Sequence, residues 1–270
     1  IENIENIENI ENIENIENTE KYACLIGINY NNKKYALSGC VNDVENIKKL
    51  LLDKFNYKSR NITLITEEKH NIEPTKKNIL EQLINILIKS TKGDTIFLFF
   101  SGHGSYIRDD TGDEVDGYDE TIITSDGYII DDEFRTIIQE YMKPGVRLFS
   151  VFDSCHSGTI LDLRYGYNLL SNGEVIVQTN KQYAETPGEV ILLSSCSDSQ
   201  ESLEYTDSHR KYTGVLTTLF TGILNKTSSN IRWYDILQSI KHSTLKSGMK
   251  QTVQLSSGRQ VDIKNKQVLL

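Results

Sequence analysis

Short, continuously apolar runs alternate with helical patterns along most of this 270-residue chain. Strands without a polar face are typical of a parallel sheet that helices cover on both sides. The apolar runs predict strands at residues 21–29, 62–66, 94–102, 146–155 and 189–196. Apolar residues at spacings of three and four predict helices at 41–55, 74–87, 131–142, 215–224 and 233–245. This order predicts an α/β fold with a mostly parallel sheet, whose chemistry gathers at the carboxyl ends of the strands.

The first twenty residues repeat the triplet Ile-Glu-Asn and are excluded from this fold. A period of three matches neither the 3.6 of a helix nor the 2 of a strand. The segment is either a low-complexity extension or an artificial addition. It also carries seven of the 38 acidic residues, so the formal net charge of −9 belongs mostly to it.

Composition excludes several classes of protein. No run approaches the roughly 20 apolar residues of a membrane-spanning helix, and no secretory signal is readable, so we expect a soluble, intracellular protein of the cytoplasm with no membrane contact. Four scattered cysteines do not form a disulfide framework. The eight basic residues after residue 225 are interpreted as part of a solvated surface, and nucleic-acid binding is not expected.

Two of the predicted strands end in residues that can do chemistry. The strand at 94–102 runs into Gly-His103-Gly104, and the strand at 146–155 runs into Asp153-Ser-Cys155-His156. Parallel strand ends meet at one sheet edge, where a thiol beside an imidazole forms a nucleophile with its general base. The N–H groups of Gly104 and Cys155 would form the oxyanion hole.

A buried structural thiol is the competing interpretation of any single cysteine. Cys24 and Cys196, within apolar strands, fit that interpretation well. Cys155 does not, because Gly-His-Gly and Asp-Ser-Cys-His-Ser-Gly at equivalent strand ends are an unusual coincidence.

From Lys21 to its last residue the chain resembles the metacaspases, caspase-like cysteine peptidases. The motifs that carry the resemblance are SGHG, FDSCHSG, GCVNDV, GDEVDGYDE, IIDDE, SSCSDSQ and QLSSGR. It implies a caspase-like three-layer sandwich with an about six-stranded sheet. It also implies a large-subunit-like region at 21–162, a linker at 163–188 and a small-subunit-like region at 189–270. The start of the chain departs from the family pattern, because it lacks a recognisable prodomain.

The resemblance makes His103 and Cys155 the catalytic dyad, without an obvious third member. His156, which an extended chain would turn to the opposite face, is interpreted as structural. Asp153 lies two residues before Cys155 and so on its side of the strand. The matching family positions assign Asp43, Asp153, Ser101 and Cys40 to the S1 pocket, although Asp43 also suits the first turn of a helix. Carboxylates and hydroxyls in that pocket predict protein or peptide substrates cleaved after Arg or Lys, not after Asp.

An acidic loop at residues 109–120 contains seven carboxylates. Such a run is often only a solvated loop, but hard oxygen ligands also suit Ca²⁺. The family positions imply calcium ligands at Asp119, Asp131, Asp132 and Asp162, and an enzyme that calcium activates. The family also implies a monomer that cuts its own linker as a zymogen does; Lys181 is the predicted cleavage site, and a passive surface loop is the alternative.

A second hypothesis is a catalytically idle caspase-like module that binds calcium or protein partners. A cysteine phosphatase is excluded because its loop needs arginine where this chain has Leu161. A serine hydrolase of the Gly-x-Ser-x-Gly type is excluded because that motif is absent.

Overall fold

A computed structural model describes residues 19–109, 117–196, 204–206, 212–227, 230–247 and 252–270. The first eighteen residues of the Ile-Glu-Asn segment and the middle of the acidic loop lie outside these ranges. Helices within the described ranges include none that is long and apolar enough to cross a membrane.

An eight-stranded sheet forms the centre of the described part of the chain. Its strands are β1 Lys21–Gly27, β2 Ile62–Thr66, β3 Thr95–Ser101, β7 Arg147–Asp153, β8 Tyr165–Leu169, β9 Val175–Thr179, β10 Glu189–Cys196 and β13 Thr252–Ser257. Five of these strands are parallel, in the order β2-β1-β3-β7-β10, and three antiparallel strands follow in the order β13-β8-β9.

Five helices among the described residues cover the two faces of this sheet, as expected for a three-layer sandwich. Alternate residues of β3 point to opposite faces: Phe97 and Phe99 contribute to one core, whereas Leu98 and Phe100 contribute to the other. The first core also contains residues of α1, α4 and α5, and the second contains residues of α2 and α3. The helices are α1 Cys40–Phe55, α2 Lys76–Lys89, α3 Asp131–Tyr141, α4 Val215–Lys226 and α5 Trp233–Lys246.

The prediction of about six strands was too small. The segment interpreted as a linker, 163–188, contains the hairpin of β8 and β9, which lengthens the sheet beyond β13. In β8 the buried residues Tyr165, Tyr167 and Leu169 alternate with Gly166 and Asn168. This pattern has the period of a half-buried strand, but it is short and its polar positions made the segment resemble a loop.

Two smaller sheets lie beside the main one. The chain leaves β3 into a three-stranded antiparallel sheet of β4 Gly104–Arg108, β5 Tyr118–Ile123 and β6 Tyr128–Ile130, which leads into α3. A hairpin of β11 Glu204–Thr206 and β12 Tyr212–Gly214 leads directly into α4. Both therefore adjoin the segments that follow the central strands.

Candidate active site

The carboxyl ends of β3 and β7 meet at one edge of the sheet. Ser101 is paired with Asp153 in the parallel register, and the N–H of Gly102 donates to the carbonyl of Asp153 over 3.5 Å. A Cβ atom on Gly104 would lie only 1.8 Å from the carbonyl oxygen of Cys155. Position 104 therefore requires glycine, and the segment with His103 packs directly against the segment with Cys155.

His103 is oriented by two tyrosines that the sequence analysis did not identify. Its N–H donates to Tyr30 Oη over 2.8 Å, and its ring lies 4.8 Å from the Tyr30 ring and 5.6 Å from the Tyr35 ring, centroid to centroid. Its Nε2 is 2.7 Å from the backbone carbonyl oxygen of Tyr35. A carbonyl only accepts hydrogen bonds, so this contact assigns the proton of neutral His103 to Nε2. Nδ1 is then the nitrogen that can accept a proton.

Cys155 lies two residues beyond β7, in a turn that is attached to β10. Cys155 is 7% exposed. Ser157 Oγ lies 3.0 Å from the carbonyl oxygen of Ser154 and 2.9 Å from that of Ser195, and Ser195 Oγ lies 3.2 Å from the same Ser154 oxygen. These hydroxyls fix the turn that presents the thiol.

Cys24 contrasts with Cys155. It is fully buried in β1, and burial raises the pKa of its thiol to about 12. A thiol of this kind is inert at neutral pH, because the thiolate is the nucleophile. The side chain of Cys196, at the end of β10, lies outside the described part of the molecule.

His156 does not continue an extended strand, contrary to the premise of the sequence analysis. Strand β7 ends at Asp153, and His156 has a φ of +49°. Its ring packs edge-on against Tyr106, with centroids 5.1 Å apart. The turn, and not strand alternation, therefore sets its direction, and its structural role stays a prediction.

Three of the four predicted S1 residues, Asp43, Ser101 and Asp153, lie close together. Asp43 is fully buried in the first turn of α1, where Ser101 Oγ donates to its Oδ2 over 2.8 Å. A Cβ atom on Gly214 would lie 2.1 Å from Asp153 Oδ2 and 3.1 Å from Asp43 Oδ2, so both carboxylates flank the same glycine. Cys40, the fourth, is the buried first residue of α1.

Burial and proximity change the acidity of this carboxylate pair. Burial, and then the charge of Asp153, raise the pKa of Asp43 to about 7 from an ordinary value of 3.8. Burial likewise raises the pKa of Asp153. Because the pKa of Asp43 is higher in the folded than in the unfolded protein, the folding stability associated with it falls as pH rises from about 4 to 7. The fold thus buries two neighbouring carboxyl groups whose ionisation is disfavoured, as functional sites often do.

The amino-terminal end of α4 supplies further partners to this pair. Asp153 Oδ2 accepts hydrogen bonds from the N–H and the Oγ1 of Thr217, both over 2.7 Å. Asp43 accepts from Thr213 Oγ1 and from the N–H of Gly214. These donors were not predictable from the sequence, because no motif distinguishes them from other residues at the start of a helix.

The predicted calcium ligands lie on β5, on α3 and after the Cys155 turn. Asp119, Asp131 and Asp162 are buried, and Asp162 has a φ of +46°. Asp131 Oδ2 accepts from the N–H of Glu120 over 2.7 Å, and its Oδ1 accepts from the N–H of Asp132 over 2.8 Å. Burial, and then the charge of Asp162, raise the pKa of Asp131 to about 9.

These carboxylates match calcium in chemistry, since they are hard oxygen donors in a buried setting. Within the described ranges, however, no three acidic, histidine or cysteine side chains converge as a metal centre. Residues 110–116 of the acidic loop fall outside those ranges. The calcium ligand set therefore stays a prediction.

Lys181 is exposed in a turn that directly follows β9. Arg164, the other basic residue of the predicted linker, is half-buried, and its guanidinium donates to the carbonyl of Tyr183 over 2.7 Å. Of these two residues, Lys181 is the more exposed.

Comparison with known proteins places the chain in a family. Residues 21–164 match the model of the metacaspase, peptidase C14 domain. Metacaspase-1A of Neurospora crassa is 31% identical over 89% of this chain, and metacaspase-1 of Arabidopsis thaliana is 33% identical over 84%. The alignments cover 63% and 65% of those two relatives, so the chain spans less than two thirds of their length.

The fold has a counterpart among solved structures. Protein GSU0716 from Geobacter sulfurreducens superposes with a TM-score of 0.65, over 92% of this chain and 97% of that one, at 20% sequence identity. This likeness concerns the fold alone. The matched domain and the metacaspase relatives show that the chain belongs to the metacaspase family of cysteine peptidases.

Proposed function

We propose that this protein is a cysteine endopeptidase that cleaves peptide bonds after Arg or Lys. The observation that carries the proposal is the packing of the His103 segment against the Cys155 segment, beside the buried pair Asp43 and Asp153. Membership of the metacaspase family supports peptide hydrolysis by a cysteine nucleophile, and the pair of carboxylates supports the preference for Arg or Lys at P1.

The bonding of His103 gives the order of proton transfers. With Nε2 directed at the Tyr35 carbonyl, Nδ1 accepts the proton of the Cys155 thiol as the thiolate attacks the scissile carbonyl. The N–H groups of Gly104 and Cys155 are proposed to stabilise the resulting oxyanion. The imidazolium then donates its proton to the leaving amine, and water hydrolyses the thioester with His103 again acting as base.

The preference for a basic P1 residue follows from charge. Asp43 and Asp153 flank Gly214, and neither has a basic side chain among the hydrogen-bond partners described above. An acidic P1 side chain would be repelled by these carboxylates, whereas a guanidinium or ammonium would be attracted and would favour their ionised form. A fluorogenic peptide series with Arg, Lys or Asp at P1 tests this, and equal cleavage of the Asp peptide would contradict it.

We further propose that Ca²⁺ binds Asp119, Asp131, Asp132 and Asp162 and activates the enzyme. Bound calcium would supply positive charge to buried carboxylates that otherwise repel one another. Asp162 is seven residues after Cys155, and Asp119 is on the strand that pairs with β4, so these ligands connect both segments of the dyad. Calcium binding would thereby order the active site.

Changing Asp131 and Asp132 together to asparagine is expected to abolish calcium uptake in titration calorimetry and calcium-stimulated cleavage of an Arg peptide. Asparagine keeps the size of each side chain but removes the charge that holds the cation. Asp53→Asn, at an exposed position of α1, is the matched control and should bind calcium normally. Unchanged uptake by the double variant would refute the assigned ligands.

The alternative function is an idle caspase-like module that binds calcium or partners. The Arg peptide assay with and without calcium separates the two. If no peptide is hydrolysed at any calcium concentration while calcium still binds, the idle module is favoured.

We propose that the chain cuts itself after Lys181, an exposed lysine in the turn after β9. Incubation with calcium should give two fragments whose masses place the cut between residues 181 and 182, and Lys181→Gln should remain intact. Lys69→Gln, which changes an exposed lysine elsewhere, is the control and should be cut normally. A fully active wild-type chain that is never cut would show that the linker is passive.

We also propose that the active form is a monomer. The hairpin of β8 and β9 covers β13, so a second copy could not pair with that strand.

A further inference from the structure

We propose that Thr213, Gly214 and Thr217, at the amino-terminal end of α4, are positioning residues that set the preference for Arg and Lys at P1. They act through Asp43 and Asp153, so this inference rests on the proposed function. Thr213 and Gly214 hydrogen-bond to Asp43, and Thr217 hydrogen-bonds to Asp153, so together they fix the orientation of the pair.

Asp43 is held from two directions. From β3, Ser101 Oγ donates to Oδ2 over 2.8 Å. From β12, Thr213 Oγ1 donates to Oδ1, and the N–H of Gly214 lies 3.1 Å from Oδ1 and 3.0 Å from Oδ2. Asp43 and Thr213 are both buried, so water cannot replace these donors. The plane of the carboxylate is therefore fixed by residues 170 and 171 positions away in the chain.

Asp153 caps α4 from a neighbouring strand. Its Oδ2 accepts the N–H of Thr217, the third residue of the helix, and also the Thr217 hydroxyl, each over 2.7 Å. The N-cap residue Gly214 has no side chain to satisfy that N–H, so the role usually filled by Ser, Thr or Asp within the chain is filled by Asp153. Donors at a helix amino terminus favour the ionised carboxylate. Thr217 is fully buried, so its hydroxyl has one fixed direction.

Gly214 separates the two carboxylates. Its φ of −68° and ψ of 148° suit any residue, so the backbone conformation does not require glycine. The requirement comes from space, because a Cβ atom would lie 2.1 Å from Asp153 Oδ2. A side chain at 214 would therefore displace the Asp153 carboxylate.

Orientation matters here because two buried carboxylates repel each other and tend to protonate or turn apart. Hydrogen bonds from fixed donors oppose both outcomes. The carboxylates would then meet a P1 guanidinium or ammonium in an orientation that is set before the substrate binds. Removing one donor should weaken P1 binding without altering the thiol or the imidazole.

The test is steady-state cleavage of Arg and Lys peptides by Thr217→Val, which deletes only the hydroxyl. KM is expected to rise by about tenfold, as for the loss of one hydrogen bond to a charged group, with kcat little changed. Thr217→Ser, which keeps the hydroxyl, should restore the wild-type KM. Thr221→Val is the matched control: its hydroxyl bonds only to carbonyls of the same helix, and its KM should equal that of the wild type.

Thr213→Val and Gly214→Ala provide independent tests should Thr217→Val not fold. Valine at position 213 is compatible with strand β12. Thr213→Val removes the hydroxyl that donates to Asp43, and this loss is expected to raise KM by a similar factor. Gly214→Ala should raise KM more, because its methyl group would displace the Asp153 carboxylate. Thermal unfolding identifies variants that are merely destabilised, since a purely structural role lowers the melting temperature and leaves KM unchanged below it.

The outcomes separate this inference from the proposed function. Wild-type cleavage after Arg with unchanged KM in Thr217→Val, Thr213→Val and Gly214→Ala overturns the inference and leaves the function intact. A wild-type chain that cleaves no Arg or Lys peptide overturns both.

Discussion

Replacing Cys155 by alanine is expected to lower the hydrolysis of an Arg peptide by a factor of about 10³ or more, because no group remains to form the thioester. The assay is a fluorogenic peptide with Arg at P1, measured with saturating calcium. Circular dichroism and the melting temperature should be close to those of the wild type, since the sulfur alone is removed from a turn that serine hydroxyls hold in place.

Cys24→Ala is the matched control for this loss. Its thiol is buried in β1, and its raised pKa keeps it protonated, so its removal should leave turnover intact. Hydrolysis that survives in Cys155→Ala would mean that another residue is the nucleophile or that the activity is a contaminant. Loss of activity in both variants would point to a general effect on folding.

The second large effect is expected for Asp153→Asn, which should lower kcat/KM for Arg peptides by about 100-fold or more. This is the loss typical of removing one charge from a buried, hydrogen-bonded charge pair. Asparagine retains an oxygen that can accept the N–H of Thr217, so α4 keeps its cap and the fold should remain intact. An alanine at this position would combine the loss of charge with an uncapped helix.

Two comparisons make the second result specific. Asp53→Asn, at the exposed surface of α1, should have wild-type kinetics. Labelling of Cys155 by a small alkylating reagent should be equally fast in Asp153→Asn and in the wild type, because the dyad is unchanged. Retained cleavage after Arg in Asp153→Asn would defeat the assignment of the S1 pocket.

The sheet and the position of its active edge were predictable from the sequence because both depend on strong local patterns. Buried parallel strands need continuous apolar runs. The motifs Gly-His-Gly and Ser-Cys-His each end such a run abruptly, so they mark the ends of two strands. The hairpin of β8 and β9 was not predicted, because the alternation of buried and more exposed residues from Tyr165 to Leu169 is too short to indicate a strand clearly. β13 was not predicted either, because it is also short, although most of its residues belong to the family motif QLSSGR.

The partners of the site residues were not predictable. Tyr35 offers its backbone carbonyl to His103, and any residue carries a carbonyl, so no side-chain pattern marks it. Thr213 and Thr217 reach Asp43 and Asp153 across about 60 to 170 positions of sequence. Such contacts depend on how α4 is placed against the sheet edge, which local propensity does not encode.

The most direct measurement of the central claim is mass spectrometry of the protein after reaction with a peptidyl-arginine fluoromethyl ketone, which alkylates a nucleophile held beside a bound P1 arginine. We expect one adduct per chain, located on Cys155, and little or none with the matching peptidyl-aspartate reagent or with His103→Ala. An adduct on another residue, or equal labelling by the arginine and aspartate reagents, would contradict a Cys155 nucleophile activated by His103 beside an anionic pocket.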